Sequence, residues 1–136
     1  MYKIFCDGGS RGNPGPAASA FVVYDSDSKE VFKLGKFLGK ATNNIAEYSA
    51  VISALSWLIE NEKTSSLIEF YLDSQLIVNQ MAGSYKIKEE NLKLLAIKIK
   101  KMESLFKNKI SYQHIPREEN KIADKLVNET LDLYLT

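Results

Sequence analysis

YKIFC at residues 2–6 is followed directly by DGGSRGNPGP at residues 7–16. YKIFC is short, apolar and rich in aromatic and β-branched residues, which is typical of a β-strand. We expect the strand to end near Asp7, because the next nine residues contain four glycines and two prolines and predict a loop. Apolar sequence resumes directly afterwards, so this loop lies within a domain and is not a linker.

Outward from this loop, the pattern predicts two further strands and then an alternation of helices and strands. Residues 18–24 and 31–38 predict strands joined by a polar hairpin connection. A helix is predicted from Asn43 or Asn44, as its cap, to about Asn61, because apolar residues recur there at spacings of three and four. The later predicted elements are a strand at 67–72, a short helix at 74–81, a helix with an apolar stripe at 92–106, a strand at 110–115 and a helix from about 120 whose apolar residues are Ile122, Leu126, Val127, Leu131 and Leu135.

The element order β-β-β-α-β-α-α-β-α indicates an α/β fold, a mixed sheet with helices on its faces. The chain has 136 residues, of which 45% are apolar, so we expect one domain over residues 1–136. No apolar run is long enough for a membrane span, and no signal-peptide pattern is visible. The single cysteine, Cys6, fits a reducing setting, so we expect a cytoplasmic protein, with Cys6 as a small buried apolar group.

The lysines are unevenly distributed although the net charge is only +1. Residues 86–109 contain eight lysines against three glutamates. Such a stretch is either a solvated helix face or a contact surface for a polyanion, and the charge pattern alone leaves both interpretations open.

Four acidic residues lie at the ends of predicted buried elements. Asp7 ends the first strand and Asp73 ends the fourth, whereas Glu47 and Asp124 lie in the first turns of two helices. Turn formation and helix dipoles offer a local explanation for each acid. Strand ends of a mixed sheet can meet, however, and buried carboxylates need a compensating cation or donors. Together the four acids predict one pocket for Mg²⁺ or Mn²⁺, because hard oxygen ligands without a histidine or cysteine cluster do not suit zinc.

Each of these acids lies within a distinct sequence block. The blocks are DGGSRGNPGP from Asp7, TNNIAEYSA from Thr42, LDSQLIVNQ from Leu72 and HIPREENKIADKLVNE from His114. In order and spacing they resemble the signature blocks of type 1 ribonuclease H, and they cover nearly the whole chain. The resemblance implies a five-stranded mixed sheet, three antiparallel strands then two parallel, flanked by helices on both faces. It also implies an endonuclease that hydrolyses the RNA strand of RNA–DNA hybrids and leaves 5′-phosphate and 3′-hydroxyl ends.

The resemblance also implies a ligand set and a substrate surface. Asp7, Glu47, Asp73 and Asp124 would hold two Mg²⁺ ions, with Mn²⁺ as the alternative. Among the implied substrate contacts, the residues at 42–44 have helix capping as the alternative explanation, and Gln75 has plain surface polarity. The implied partner is an RNA–DNA hybrid. We expect no membrane partner, and we expect the protein to be a monomer. The implied substrate contacts are Gly8, Gly9, Ser10, Gly12, Asn13, Thr42, Asn43, Asn44 and Gln75.

One feature departs from the family pattern. Many members carry a histidine in a loop before the last acid, but the only histidine here, His114, is predicted at the end of a strand. We therefore expect a structural role for His114, with Arg117 or Glu118 at the catalytic edge instead.

Two other function classes fit parts of the sequence. One is a protein of the same fold that binds nucleic acid without cutting it. The other is a phosphate-binding ATPase or sugar kinase, whose related fold also has an aspartate followed by glycines, but those proteins need two such domains to enclose a nucleotide.

Overall fold

Five strands form one mixed sheet in the computed structural model, which describes residues 1–83 and 86–135. Their order across the sheet is β3-β2-β1-β4-β5. Strands β1 to β3 pair antiparallel, whereas β4 runs parallel to β1 and β5 runs parallel to β4. This arrangement confirms the predicted sheet. The strands are β1 (Tyr2–Ser10), β2 (Gly15–Tyr24), β3 (Glu30–Ala41), β4 (Ile68–Leu72) and β5 (Ser111–His114).

Helices cover both faces of this sheet. Helices α1, α2 and α3 pack on one face and share a core with Ile4 and Cys6 of β1. Helix α4 packs on the other face, where Val127 contacts the small residues Ala18 and Ala20 of β2. The helices are α1 (Asn43–Glu60), α2 (Gln75–Met81), α3 (Glu90–Glu103) and α4 (Lys121–Tyr134). None of the helices in the described part of the chain combines the length and apolarity that a membrane crossing needs.

Helix α1 forms the centre of the larger core. Its apolar residues recur at spacings of three and four, so one side of the helix is buried against the sheet. Leu55 and Leu58 are fully buried, and burial of such a side chain contributes about 2 kcal/mol to stability. The buried residues of α1 are Ala46, Glu47, Tyr48, Ala50, Val51, Ala54, Leu55 and Leu58.

Strand β1 is longer than the sequence predicts. It continues past Asp7 to Ser10, because residues 8–10 pair with residues 17–19 of β2. The predicted loop is therefore confined to residues 11–14. Glycine usually weakens a strand, but the antiparallel ladder with β2 continues through this segment and outweighs that preference.

The ends of two helices also differ from the prediction. The cap of α1 is Thr42, whose side chain accepts a hydrogen bond from the Ile45 N–H, and not Asn43 or Asn44. Glu47 is consequently the fifth residue of α1 and lies beyond its first turn. In α4, Ile122 is 48% exposed, because the buried side of this helix runs through Ala123, Val127 and Leu131.

Candidate active site

Two neighbouring parallel strands bring the first two acids together. Asp7 belongs to β1, and Asp73 directly follows Leu72, the last residue of β4. The register that pairs Phe5 with Tyr71 carries both strands toward the same edge of the sheet. Glu47 joins them from α1, and carboxylate oxygens of Asp7, Glu47 and Asp73 all lie within 4.8 Å of one another.

Gly8 allows the helix that carries Glu47 to approach β1. A Cβ atom at this position would lie 2.3 Å from the carbonyl carbon of Ala46 and 2.4 Å from the backbone nitrogen of Glu47. Both distances are far below van der Waals contact, so only glycine fits here. The resemblance implies a substrate contact at Gly8; in the structure its missing side chain makes room for the α1 backbone.

Burial and mutual repulsion raise the pKa values of two of these carboxyl groups. The pKa of Asp7 rises to about 8, mainly through burial and then through the charges of Asp73, Glu47 and Asp124, although the Gly8 N–H opposes the shift. The pKa of Glu47 also rises to about 8, through burial and then Asp73. Among the described residues, the ion pairs found involve none of the three clustered acids. In the described part of the chain, no lysine or arginine therefore forms an ion pair that would stabilise the ionised form of the cluster.

Asp124 lies beside this cluster but is not part of its tightest group. It is in the first turn of α4 and lines the same cleft, which has a volume of about 480 Å³. Its charge contributes to the raised pKa of Asp7, so the two carboxyl groups interact. The cleft brings together nine of the predicted site residues: Asp7, Gly8, Gly9, Ser10, Asn43, Asn44, Glu47, Asp73 and Asp124.

The other predicted site residues lie outside this cleft. Asn13 and Thr42 line a second cleft of about 240 Å³, which shares Asn44 with the first. Gly12 has a positive φ of 87° in the loop and lines neither cleft. Gln75 also lines neither cleft, and its side-chain amide donates a hydrogen bond to Asn79 Oδ1 at 3.2 Å.

Hydrogen bonds hold the glycine loop against the start of α1. The Ser10 N–H donates to Asn43 Oδ1 at 2.8 Å, and the Asn43 N–H donates to Asn13 Oδ1 at 3.0 Å. The Ser10 hydroxyl also donates to the Ala41 carbonyl at 2.8 Å. This network fixes the loop relative to the helix N-terminus, so both clefts are built on a rigid frame.

The donor set of the cluster fits a hard divalent cation. Three carboxylates in close proximity supply oxygen ligands, which Mg²⁺ and Mn²⁺ prefer. A bound cation would also relieve the repulsion that raises the pKa values of Asp7 and Glu47. The adjacent Cys6 is 1% exposed, and burial raises its thiol pKa, so it is neither a thiolate ligand nor a nucleophile.

Comparison with known proteins agrees with this fold. Residues 5–130 match a family model described as reverse transcriptase-like. Ribonuclease HI of Haemophilus influenzae is 32% identical over 142 residues, covering 95% of this chain and 88% of that protein. The chain belongs to the type 1 ribonuclease H family. A solved structure of LC11-RNase H1 in complex with an RNA/DNA hybrid is 40% identical, with a TM-score of 0.94 and complete coverage of both chains.

Some ribonuclease H relatives are much longer than this chain. A bifunctional protein of Mycobacterium tuberculosis is 39% identical over 130 residues, which cover 95% of this chain. The chain spans 35% of the length of that relative. The ribonuclease H fold is thus found in this relative as one part of a larger protein.

Three further polar residues, Ser74, Arg117 and Asn120, lie beside the acids of this site. Ser74 caps α2 by accepting from the Ile77 N–H at 3.3 Å, and its side chain, close to Glu47, opposes the rise of that pKa. Its position between Asp73 and a helix start is a sequence signal for a cap, but no signal links it to Glu47. Of the two proposed edge residues, Arg117 lines the acidic cleft and Glu118 does not. Asn120 donates to Asp73, and the sequence pattern identified it only as a helix start.

His114 lies at the end of β5, as predicted. It pairs with Leu72 in the parallel register and is exposed, and it does not line the acidic cleft. A structural role for His114 stays a prediction.

Proposed function

We propose that this chain is an endonuclease that hydrolyses the RNA strand of RNA–DNA hybrids and leaves 5′-phosphate and 3′-hydroxyl ends. The observation that carries the proposal is the approach of three carboxylates, Asp7, Glu47 and Asp73, to within 4.8 Å of one another. Membership of the ribonuclease H family and the likeness to LC11-RNase H1 bound to a hybrid support the same assignment.

In this proposal, Asp7, Glu47, Asp73 and Asp124 hold two divalent cations, with Mg²⁺ preferred and Mn²⁺ accepted. When bound, such cations supply an activated water and neutralise charge on the departing 3′ oxygen. The carboxylates of the chain would fix the positions of these cations. Asp7 and Glu47 are buried, and the four carboxylates are carried by β1, by the residue after β4, and by helices α1 and α4.

The substrate surface lies along the loop and the start of α1. Asn13, Thr42 and Asn44 line the smaller cleft next to the acids, where amide and hydroxyl groups reach sugar and phosphate oxygens. The N-terminus of the 18-residue helix α1 favours a phosphate at Thr42. Backbone groups of Gly8, Gly9, Ser10 and Gly12, with the side chains of Asn43 and Gln75, complete the proposed contacts to RNA 2′-hydroxyls and base edges.

The lysines around α3 extend this surface. Residues Glu89, Asn91 and Leu92 at the start of α3 line the smaller cleft, so the basic segment 86–109 begins beside the proposed substrate contacts. We assign this segment to the phosphates of the hybrid beyond the acidic cleft. The further predictions are a single domain over residues 1–136, a monomer and a cytoplasmic location.

A duplex panel tests the proposed function. Labelled RNA–DNA hybrid, double-stranded RNA and double-stranded DNA are incubated with the protein in Mg²⁺, in Mn²⁺ and in chelator, and the product ends are mapped. We expect cleavage of the RNA strand of the hybrid, with its loss in chelator. Binding of hybrid without cleavage in either metal would instead identify a passive nucleic-acid binder.

A further inference from the structure

A buried asparagine outside the acid cluster connects its parts. Asn120 is 1% exposed and lies between the turn Arg117–Glu119 and helix α4. Its side-chain amide donates one hydrogen bond to the Cys6 carbonyl at 2.8 Å and another to Asp73 Oδ2 at 3.1 Å. The first bond reaches β1 next to Asp7, and the second reaches the carboxylate that follows β4.

The backbone of the same residue reaches the fourth acid. The Asp124 N–H donates to the Asn120 carbonyl at 3.1 Å, which is the first hydrogen bond of α4. Asn120 thus contacts segments that carry Asp7, Asp73 and Asp124, although these segments are far apart in the sequence. A shift of the Asn120 side chain would displace its hydrogen-bond partners, the Asp73 carboxylate and the β1 backbone at Cys6.

An ordinary helix-capping role does not explain this arrangement. Asparagine is favoured at helix starts because its side-chain oxygen accepts a backbone N–H of the first turn. Here the side chain makes no such cap, and Oδ1 is buried without a hydrogen-bond partner among the described residues. An unsatisfied buried oxygen costs stability. The amide is therefore oriented by its two acceptors, the Cys6 carbonyl and the Asp73 carboxylate, at the expense of the helix cap.

We propose that Asn120 is a positioning residue, which fixes the orientation of the Asp73 carboxylate and its distance from β1 for cation binding. The inference rests on the proposed function, because it assigns Asp73 to the cation site. Hydrogen-bond partners of a metal ligand orient it, and their loss weakens metal affinity or activity by about 10- to 100-fold. Asn120 does not reach the substrate in this assignment, so its loss should lower the rate without weakening hybrid binding.

The test compares two Asn120 variants with a control that loses a different buried hydrogen bond. Asn120→Ala removes the amide, and Asn120→Leu removes it while keeping the bulk and eliminating the unpartnered oxygen. The control is Tyr48→Phe, which removes the hydrogen bond from the Tyr48 hydroxyl to Gln80 Oε1, 2.7 Å long and buried. Mn²⁺ affinity is measured by calorimetry on the full chain, and kcat and KM are measured on hybrid at a fixed, subsaturating Mn²⁺ concentration.

For both Asn120 variants we expect the Kd for Mn²⁺ to rise and kcat to fall by about tenfold or more, with KM for hybrid within about twofold of wild type. Tyr48→Phe should leave all three quantities nearly unchanged. The inference is overturned if the folded Asn120 variants bind Mn²⁺ as the control does, or if KM alone rises, which would indicate a substrate contact. It is also overturned if neither variant folds, because the role is then structural.

The same data separate this inference from the proposed function. If the wild-type protein cuts hybrid and the Asn120 variants bind Mn²⁺ normally, the function stands and the positioning role fails. If the wild-type protein does not cut hybrid but both variants still weaken Mn²⁺ binding, the positioning role stands and the proposed function fails.

Discussion

Asp7 and Glu47 are held where an ionised carboxyl group is least favoured. Each is less than a tenth exposed, and each has a further carboxylate as a neighbour. Only weak compensation comes from the protein, through the Gly8 N–H for Asp7 and through Ser74 and Arg117 for Glu47. The arrangement favours either bound protons or a bound cation, which makes the site sensitive to both.

The raised pKa values predict an unusual pH dependence for the metal-free protein. In the unfolded chain Asp7 and Glu47 titrate near 3.8 and 4.5, whereas in the fold both have a pKa of about 8. Between these limits the native state binds protons that the unfolded state has lost, so the free energy of unfolding should fall as pH rises from about 5 to 8. Urea unfolding with chelator present should show this decrease in the free energy of unfolding between pH 5 and pH 8.

Two controls sharpen this pH prediction. Glu47→Gln should flatten the pH profile, because the variant side chain does not titrate. Saturating Mg²⁺ should reverse the slope, since cation binding displaces the protons and tightens as pH rises. Stability of the metal-free wild type that rises steadily from pH 5 to 8 would contradict the buried-acid account.

Asp73 and His114 should differ sharply in their importance for cleavage. Asp73→Asn removes a proposed ligand, so we expect the turnover of hybrid to fall by more than about 100-fold, the upper range seen for outer partners of metal ligands. His114→Ala should keep measurable turnover, because His114 does not line the acidic cleft. A hybrid-cleavage assay on both variants measures this difference, and an equal loss in the two would refute the role given to each residue.

At the scale of elements, the approach of α1 to β1 is what delivers Glu47 to the strand acids. Gly8→Ala would place a Cβ 2.3 Å from the α1 backbone, and backbone cannot move aside as a flexible side chain can. We expect a loss of about 3 kcal/mol in the free energy of unfolding by urea, together with loss of cleavage as α1 shifts.

Gly9→Ala provides the matched stability control for this contact. Its Cβ would meet only Val127 Cγ1, at an ordinary distance of 3.5 Å. The free energy of unfolding should therefore change by less than about 1 kcal/mol. Equal stability of the two alanine variants would show that the close approach at Gly8 is not a constraint.

Elements with a regular apolar pattern could be predicted from the sequence, and their ends could not. The spacing of Ala50, Ala54 and Leu58 predicts the buried side of α1 correctly. The predicted end of β1 was wrong, because pairing with β2 continues through glycines that are typical of loops. Ile122 was assigned to the apolar side of α4, but the side that packs on β2 is set by the small residues Ala18 and Ala20, which no local pattern in α4 indicates.

At the scale of the whole molecule, the candidate site residues are easier to predict from the sequence than the contacts that position them. The four acids are recognisable because carboxylates at the ends of buried elements need compensation. Their convergence depends on the parallel pairing of β1 with β4, which the element order implies only in outline. The links from Ser74 to Glu47 and from Asn120 to Asp73 join residues 27 and 47 positions apart. Such contacts arise from the fold and leave no local signal.

The basic segment should make hybrid binding strongly dependent on salt. With chelator present to prevent cleavage, we expect the Kd for hybrid to rise by about tenfold or more between 50 and 200 mM salt, because phosphate contacts release counterions. Exchanging the exposed Lys86 and Lys88 for glutamine should reduce this slope, since they precede the start of α3 beside the smaller cleft. Lys29→Gln, in the β2–β3 hairpin at the opposite end of β1 from Asp7, also removes one positive charge and is the control for each of these two exchanges made singly.

If the Kd for hybrid does not change with salt, the lysine segment is not part of the substrate surface. The same conclusion follows if Lys29→Gln reduces the salt dependence as much as the Lys86 or Lys88 exchange does. Fluorescence anisotropy of a labelled hybrid measures both slopes under the same conditions.

Carboxylates from separate segments of the chain form one cation site in the proposed function. Anomalous diffraction from crystals grown with Mn²⁺ tests it most directly, because manganese can be located without assumptions about its ligands. We expect manganese bound between the carboxylates of Asp7, Glu47 and Asp73, with Asp124 on the same side of the cleft. Manganese bound only elsewhere on the protein, with the acidic cleft empty, would contradict it.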